Sequence, residues 1–275
     1  MLARPDPIDQ PAQAAFEARG LTLDYATAAG PLRAVENVSF SAGEGERLVL
    51  LGRSGCGKSS ILKAVAGFIK PAAGEILVKG RKVTGAGPDR IVVFQEFDQL
   101  LPWKTVHENV AFPLRVGGRA GGRVPKAEAR ERAEVALRKV GLDRVIDAYP
   151  HTLSGGMKQR AAIARALVTN ADVLLMDEPF AALDALTRRR LQEDLLKLAE
   201  EERFTLLFVT HSIEEAILIG TKLHLLSAHP GRTIATFNTA EFNLGNSGGA
   251  RFDGVVKEVN GLLFEDREEL EPVHV

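Results

Sequence analysis

Gly52-Arg53-Ser54-Gly55-Cys56-Gly57-Lys58-Ser59 fits GxxxxGK[ST], a pattern whose residue types are those needed to wrap a backbone around a triphosphate. The glycines let successive N–H groups converge on phosphate oxygens, Lys58 supplies a fixed positive charge, and the Ser59 hydroxyl can ligate Mg²⁺. The flanks agree with this reading. Leu48 to Leu51 is an unbroken apolar run of strand length, and Ser59 to Gly67 reads as a helix with Ile61, Leu62 and Val65 on one face, stopped by Gly67 and Pro71. Strand, glycine turn and helix together aim a helix N-terminus at an anion.

The chain has 275 residues, 45% of them hydrophobic, enough for one large domain or two smaller ones with a sizeable core. Its 35 basic and 36 acidic residues leave a formal charge of -1, so no global field draws it to nucleic acid or an anionic membrane. The single cysteine, Cys56, has no intramolecular disulfide partner and reads first as a small filler within the glycine loop. No window approaches the roughly 18 apolar residues of a membrane span. Met1 to Gln13 carries three prolines and no apolar core, so a secretory signal is not expected.

Leu21–Tyr25 and Val35–Phe40 read as two short strands around an Ala28-Ala29-Gly30-Pro31 turn, an antiparallel flap ahead of the core. Ile91–Phe94, Val173–Met176 and Thr205–Val209 lack alternation, as strands covered on both faces do. From Val106 to about Val168 the pattern is helical, interrupted by a Gly/Arg-rich stretch at Arg115–Arg123 and by Pro125. Phe252–Leu263 predicts a closing helix, and the Arg188–Leu198 region a helix with a solvated charged face. The expected division is an extension over residues 1–20, a domain over 21–240 with a helical subdomain at about 96–168, and an extension over 241–275 containing a helix.

Two further stretches carry chemistry. Val173-Leu174-Leu175-Met176 ends in Asp177-Glu178-Pro179, so a buried strand delivers adjacent carboxylates to its carboxyl end, Asp177 suited to Mg²⁺ and Glu178 to polarising a water, unless the triplet simply caps the next element. Leu153-Ser154-Gly155-Gly156-Met157-Lys158-Gln159-Arg160 reads as a glycine-rich turn opening a helix with Ser154 as N-cap, a second anion site or simply a capped helix.

These motifs, with Gln95 after an apolar strand, Ala182-Leu183-Asp184 after the carboxylates, and His211 after the next strand, resemble an ABC transporter ATPase subunit over about residues 21–227. The resemblance implies an α/β P-loop NTPase (RecA-like) core with an antiparallel β subdomain and an inserted α-helical subdomain. It implies ATP and Mg²⁺ as ligands, with nucleotide contacts from Tyr25, Gly52, Arg53, Ser54, Gly55, Cys56, Gly57, Lys58, Ser59 and Ser60. Tyr25 would stack on adenine. Ser59 and Asp177 would serve the metal and Gln95 the metal or the attacking water, Glu178 would be the general base, His211 would hydrogen-bond the γ-phosphate and orient that water, and Gln95 and Lys58 would count with Glu178 and His211 as catalytic. Asp184 would link two active sites. Ser154, Gly155 and Gly156 would close over the nucleotide of a second copy, which implies a homodimer.

The stretch Phe94-Gln95…Leu100-Leu101-Pro102-Trp103…Val106…Asn109-Val110, with the Pro230-Gly231-Arg232 turn, resembles the nitrate/sulfonate/taurine group of importers. The resemblance implies two transmembrane permease subunits as partners, an indirect solute-binding protein, and a place on the cytoplasmic face of the inner membrane. The apolar stretch around Trp103 would suit a groove for a partner's short helix or, equally, core packing. No nucleic-acid partner is expected, although a soluble ABC ATPase acting on nucleic acid or ribosomes is the rival reading.

Overall fold

The computed structural model describes residues 14–28, 30–95, 99–117 and 123–268. They form two compact units, one holding the chain up to Ala86 and again from Phe204, the other Gly87–Arg203.

In the first unit, β1 (Ala14–Thr27) and β2 (Gly30–Gly43) run antiparallel, with β4 (Ala73–Val78) and β5 (Arg81–Lys82) continuing that sheet in the order β2-β1-β4-β5. Both long strands exceed the Leu21–Tyr25 and Val35–Phe40 segments expected, and residues 14–20 are strand rather than extension. The extra length follows from the core: Phe16, Ala18, Leu21 and Leu23 are all buried, and a register shift between Ala18 and Leu21 keeps them on one face.

The second sheet of this unit centres on β3 (Arg47–Gly52), flanked in parallel by β8 (Thr205–Thr210) and β9 (Lys222–Leu226). An antiparallel edge strand, β10 (Thr233–Asn238), pairs with β9. Leu48 to Leu51 have no accessible surface, so the unbroken apolar run is the mark of a strand buried on both faces, each such side chain contributing about 1.5–3 kcal/mol. Helix α1 (Lys58–Val65) follows the glycine loop and buries Ile61, Leu62 and Val65. After α6 (Ile213–Ile219), the tail helix α7 (Ala250–Glu268) packs against it, seated by Phe252 and Val259 with Phe252 edge-on to Phe242. It is longer than the Phe252–Leu263 segment expected.

The second unit pairs β6 (Arg90–Val93) in parallel with β7 (Val173–Asp177) and carries, among the described residues, four α-helices. Helices α2 (Val106–Val116), α3 (Lys126–Lys139) and α4 (Gly155–Leu167) pack on one another, while α5 (Ala185–Glu202) packs on α4. The unit is therefore wider than the 96–168 helical insertion expected, because β6, β7 and α5 belong to it. In α3 the stripe Ala129, Ala133, Ala136 and Leu137 faces inward at helical spacing. Helix α2 begins with a capping box, Thr105 accepting from the Glu108 N–H and Glu108 reaching back to the Thr105 N–H. Most of the Gly/Arg-rich stretch, residues 118–122, lies outside the described residues, as does residue 29 of the expected turn.

Candidate active site

The loop between β3 and α1 is built to bring backbone close to a ligand. Gly57 ends it in a left-handed conformation, φ 92°, where a Cβ would lie 2.5 Å from Val35 Cγ2 and 2.9 Å from the Ala34 carbonyl. Arg53, Ser54 and Gly55 are exposed at the crest, while Cys56 is fully buried below it. Lys58 is buried and bridges the loop, its Nζ donating to the carbonyls of Gly52 (2.7 Å) and Arg53 (3.0 Å). An ammonium held by carbonyls at the mouth of a glycine loop can exchange those acceptors for phosphate oxygens at little cost in reorganisation. Burial pushes the Cys56 thiol up, with the Lys58 charge opposing, so the sulfur stays protonated and fills space.

Tyr25, on β1, donates from its hydroxyl to Ser60 Oγ at 2.8 Å, which places the ring by the first turn of α1 with about a third of its surface exposed. Ser59 and Ser60 are half-buried in that turn. His211 follows β8, whose register sets Leu51 opposite Thr210, so the glycine loop and His211 leave the carboxyl ends of adjacent parallel strands. A buried pair fixes the His211 turn. Thr210 Oγ1 donates to the Glu215 carboxylate and accepts from the Ser212 N–H, while Ser212 caps α6.

The remaining candidates lie in the second unit. Gln95 is exposed just past β6, and Asp177 ends β7; the register Val93 to Met176 sets them at neighbouring carboxyl ends. Glu178 has φ 44°, a left-handed conformation costing a non-glycine residue about 1–2 kcal/mol, the kind of strain that collects at functional sites. Ser154 caps α4 by accepting from the Met157 N–H, but Gly155 and Gly156 are its first helical turn rather than a separate glycine turn. Gly156 also has a packing reason: a Cβ there would sit 2.8 Å from Thr187 Cγ2 on α5. Asp184 caps α5, and the Thr187 and Leu186 N–H groups hold its carboxyl below the usual range.

The apolar stretch after Gln95 divides in two. Leu100 enters the core, whereas Trp103 is 70% exposed. Buried Asn109 holds the intervening turn, accepting from the Leu101 N–H and donating to the carbonyls of Leu101, Lys104 and Thr105. Phe112 beneath Lys104 adds a second exposed aromatic ring. Glu96, Phe97 and Asp98 lie outside the described residues.

A buried parallel strand running into GxxxxGK[ST] and then a helix defines a P-loop NTPase. Residues 35–181 match the ABC transporter family. The chain is 49% identical to the taurine import ATP-binding protein TauB of Rhizobium johnstonii, across 75% of this chain and 77% of that one. It is 41% identical to the bicarbonate transport ATP-binding protein CmpD of Synechocystis sp., across 86% and 83% of the two chains. The nitrate import ATP-binding protein NrtC of Synechococcus elongatus is 44% identical over 78% of this chain and 32% of its own. The dimeric, post-hydrolysis ATP-binding cassette MJ0796 bound to ADP and Pi superposes with a TM-score of 0.70 at 31% identity, covering 82% of this chain and all of that one. The chain belongs to the ABC transporter family, as an ATP-binding cassette with ATPase activity.

The residues that support the site are not marked in the sequence. Glu215 carries no motif, and Asn109 and Gly231, although they fall in the stretches that resemble the importer group, have roles visible only in their burial and partners.

Proposed function

We propose that this ATPase works as a homodimer on the cytoplasmic face of the inner membrane, docked on two permease subunits and powering uptake of a small anionic solute such as nitrate, a sulfonate or taurine. The observation that carries this reading is the 49% identity to a taurine import subunit, with bicarbonate and nitrate transport subunits close behind. The absence of an excess of positive charge gives the nucleic-acid reading no support.

In this reading Lys58 and the N–H groups of Gly52–Ser60 bind the phosphates, and Tyr25 stacks on the base. Ser59, Gln95 and Asp177 offer hydroxyl, amide and carboxylate oxygens, the hard donors that suit Mg²⁺ alongside substrate phosphates. Mg²⁺, when bound, neutralises phosphate charge. Glu178 accepts a proton from the water that attacks the γ-phosphorus as the bond to the bridging oxygen breaks and ADP departs, while His211 orients that water. Ser154, Gly155 and Gly156 of one copy complete the site of the other, which makes turnover conditional on dimer closure. Trp103 and Phe112, exposed on the helical unit, form the apolar surface that receives a permease helix.

Reconstitution with the native permease tests this. Stimulation of ATPase by one anionic solute with its binding protein supports the reading; salt-sensitive stimulation by RNA or DNA, with none by any permease, overturns it.

A further inference from the structure

The turn after β9, Ser227–Arg232, resembles an importer-group feature in sequence yet has no part in the chemistry described so far. Its geometry points at the phosphate loop. Gly231 is buried, and a Cβ there would lie 2.1 Å from the Cys56 carbonyl oxygen, a backbone atom that cannot swing aside. Gly231 also joins β2: its N–H donates to the Ala34 carbonyl at 2.9 Å, and its carbonyl accepts from the Glu36 N–H at 2.9 Å. Ala34 and Val35 are the residues against which Gly57 is pressed. Three backbones thus meet in one place, the phosphate loop touching β2 through Gly57 and the turn through Cys56, while the turn and β2 hydrogen-bond to each other.

The turn is itself braced. Ser227 Oγ accepts from the Arg232 N–H at 2.9 Å and donates to the Pro230 carbonyl at 3.0 Å, and the Ser227 N–H donates to the Arg232 carbonyl at 2.8 Å. On the surface, Arg232 pairs with Glu36, which also receives Arg33, and Arg33 reaches Asp24 beside Tyr25.

We infer that Ser227–Arg232 is a strap that holds the phosphate loop in its binding conformation, with Gly231 a positioning residue for ATP. The loop binds phosphate through backbone N–H groups, whose directions are set by whatever packs beneath them; a support acting on Cys56 and Gly57 acts on those directions. This rests on reading Gly52–Ser60 as the phosphate-binding loop.

The test uses the full-length chain and Mg-ATP, with affinity, KM, kcat and thermal midpoint measured for Gly231→Ala and Ser227→Ala. Gly231→Ala forces the strap and loop apart, so Kd and KM rise about tenfold or more while kcat at saturating ATP stays within about threefold. Ser227→Ala, which removes a hydroxyl and keeps the fold, raises Kd and KM about threefold to fivefold with the midpoint nearly unchanged. Wild-type affinity in folded Gly231→Ala overturns the inference. Should that variant not fold, wild-type affinity in Ser227→Ala overturns it alone. Lys58→Ala separates the two readings: if it binds Mg-ATP like the wild type, the phosphate loop itself has been misassigned.

Discussion

His224 gives the most quantitative handle on this fold. It lies on β9, paired with Leu50 of the strand that feeds the phosphate loop, and is buried with its ring edge-on to Phe40. Its two nitrogens meet Thr236 Oγ1 and Thr233 Oγ1, each at 3.1 Å. Hydroxyls can donate or accept, so they satisfy the neutral ring without favouring its charged form. Burial, and secondarily the Lys222 ammonium, push the His224 pKa down from 6.5 to about 4. The sign follows: the unfolded chain takes up this proton first as pH falls, so the stabilisation is complete above about pH 6.5 and is lost progressively toward pH 4. For that shift the loss is about 2 kcal/mol at pH 5 and about 3 kcal/mol at completion. His224→Leu removes the titration and keeps an apolar side chain. Both threonines are exposed, so their hydroxyls can turn to water, and the change at pH 8 should stay within about 1.5 kcal/mol. Urea unfolding at pH 8 and pH 5 measures the difference. The variant should lose about 2 kcal/mol less than the wild type between the two, carboxylate titration being common to both. Equal losses would refute the argument.

Three other outcomes are expected. Asn109→Ala, which strips the Leu101–Thr105 turn of four hydrogen bonds, should cost about 2–4 kcal/mol and lower the steady-state anisotropy of Trp103, the only tryptophan; unchanged anisotropy would place the turn's rigidity elsewhere. Thr210→Val leaves the buried Glu215 carboxylate and the Ser212 N–H without their hydroxyl, costing about 1–3 kcal/mol and lowering kcat through the His211 turn while ATP affinity holds; normal kcat would detach that pair from catalysis. Ser154→Arg should abolish hydrolysis yet bind ATP normally, and full turnover in that variant would contradict a shared site.

Much of this was legible before the structure because burial leaves a mark on sequence. β3, β7 and β8 read as unbroken apolar runs because both faces are covered, and Ser154 reads as a cap because an exposed helix N-terminus needs an acceptor. The short β4–β5 pair and the β9–β10 hairpin were missed: β10 alternates weakly at an edge, and His224 breaks the pattern of β9. Site support was illegible for another reason. Gly231 is required by the carbonyl of Cys56, 175 positions earlier in the chain, and Gly156 by Thr187 on another helix, distances across which no local pattern operates. The left-handed backbone of Glu178 likewise carries no signal in its residue type, which ordinarily avoids it.

In the proposed cycle ATP is trapped between two copies and released by a step needing Glu178. Light scattering of Glu178→Gln with and without Mg-ATP tests it most directly. The expected result is a monomer mass without nucleotide, twice that mass at saturating Mg-ATP, almost no phosphate release, and a return to monomer when Ser154→Arg is added. A Glu178→Gln protein that stays monomeric while saturated with ATP, or that hydrolyses it at the wild-type rate, would contradict it.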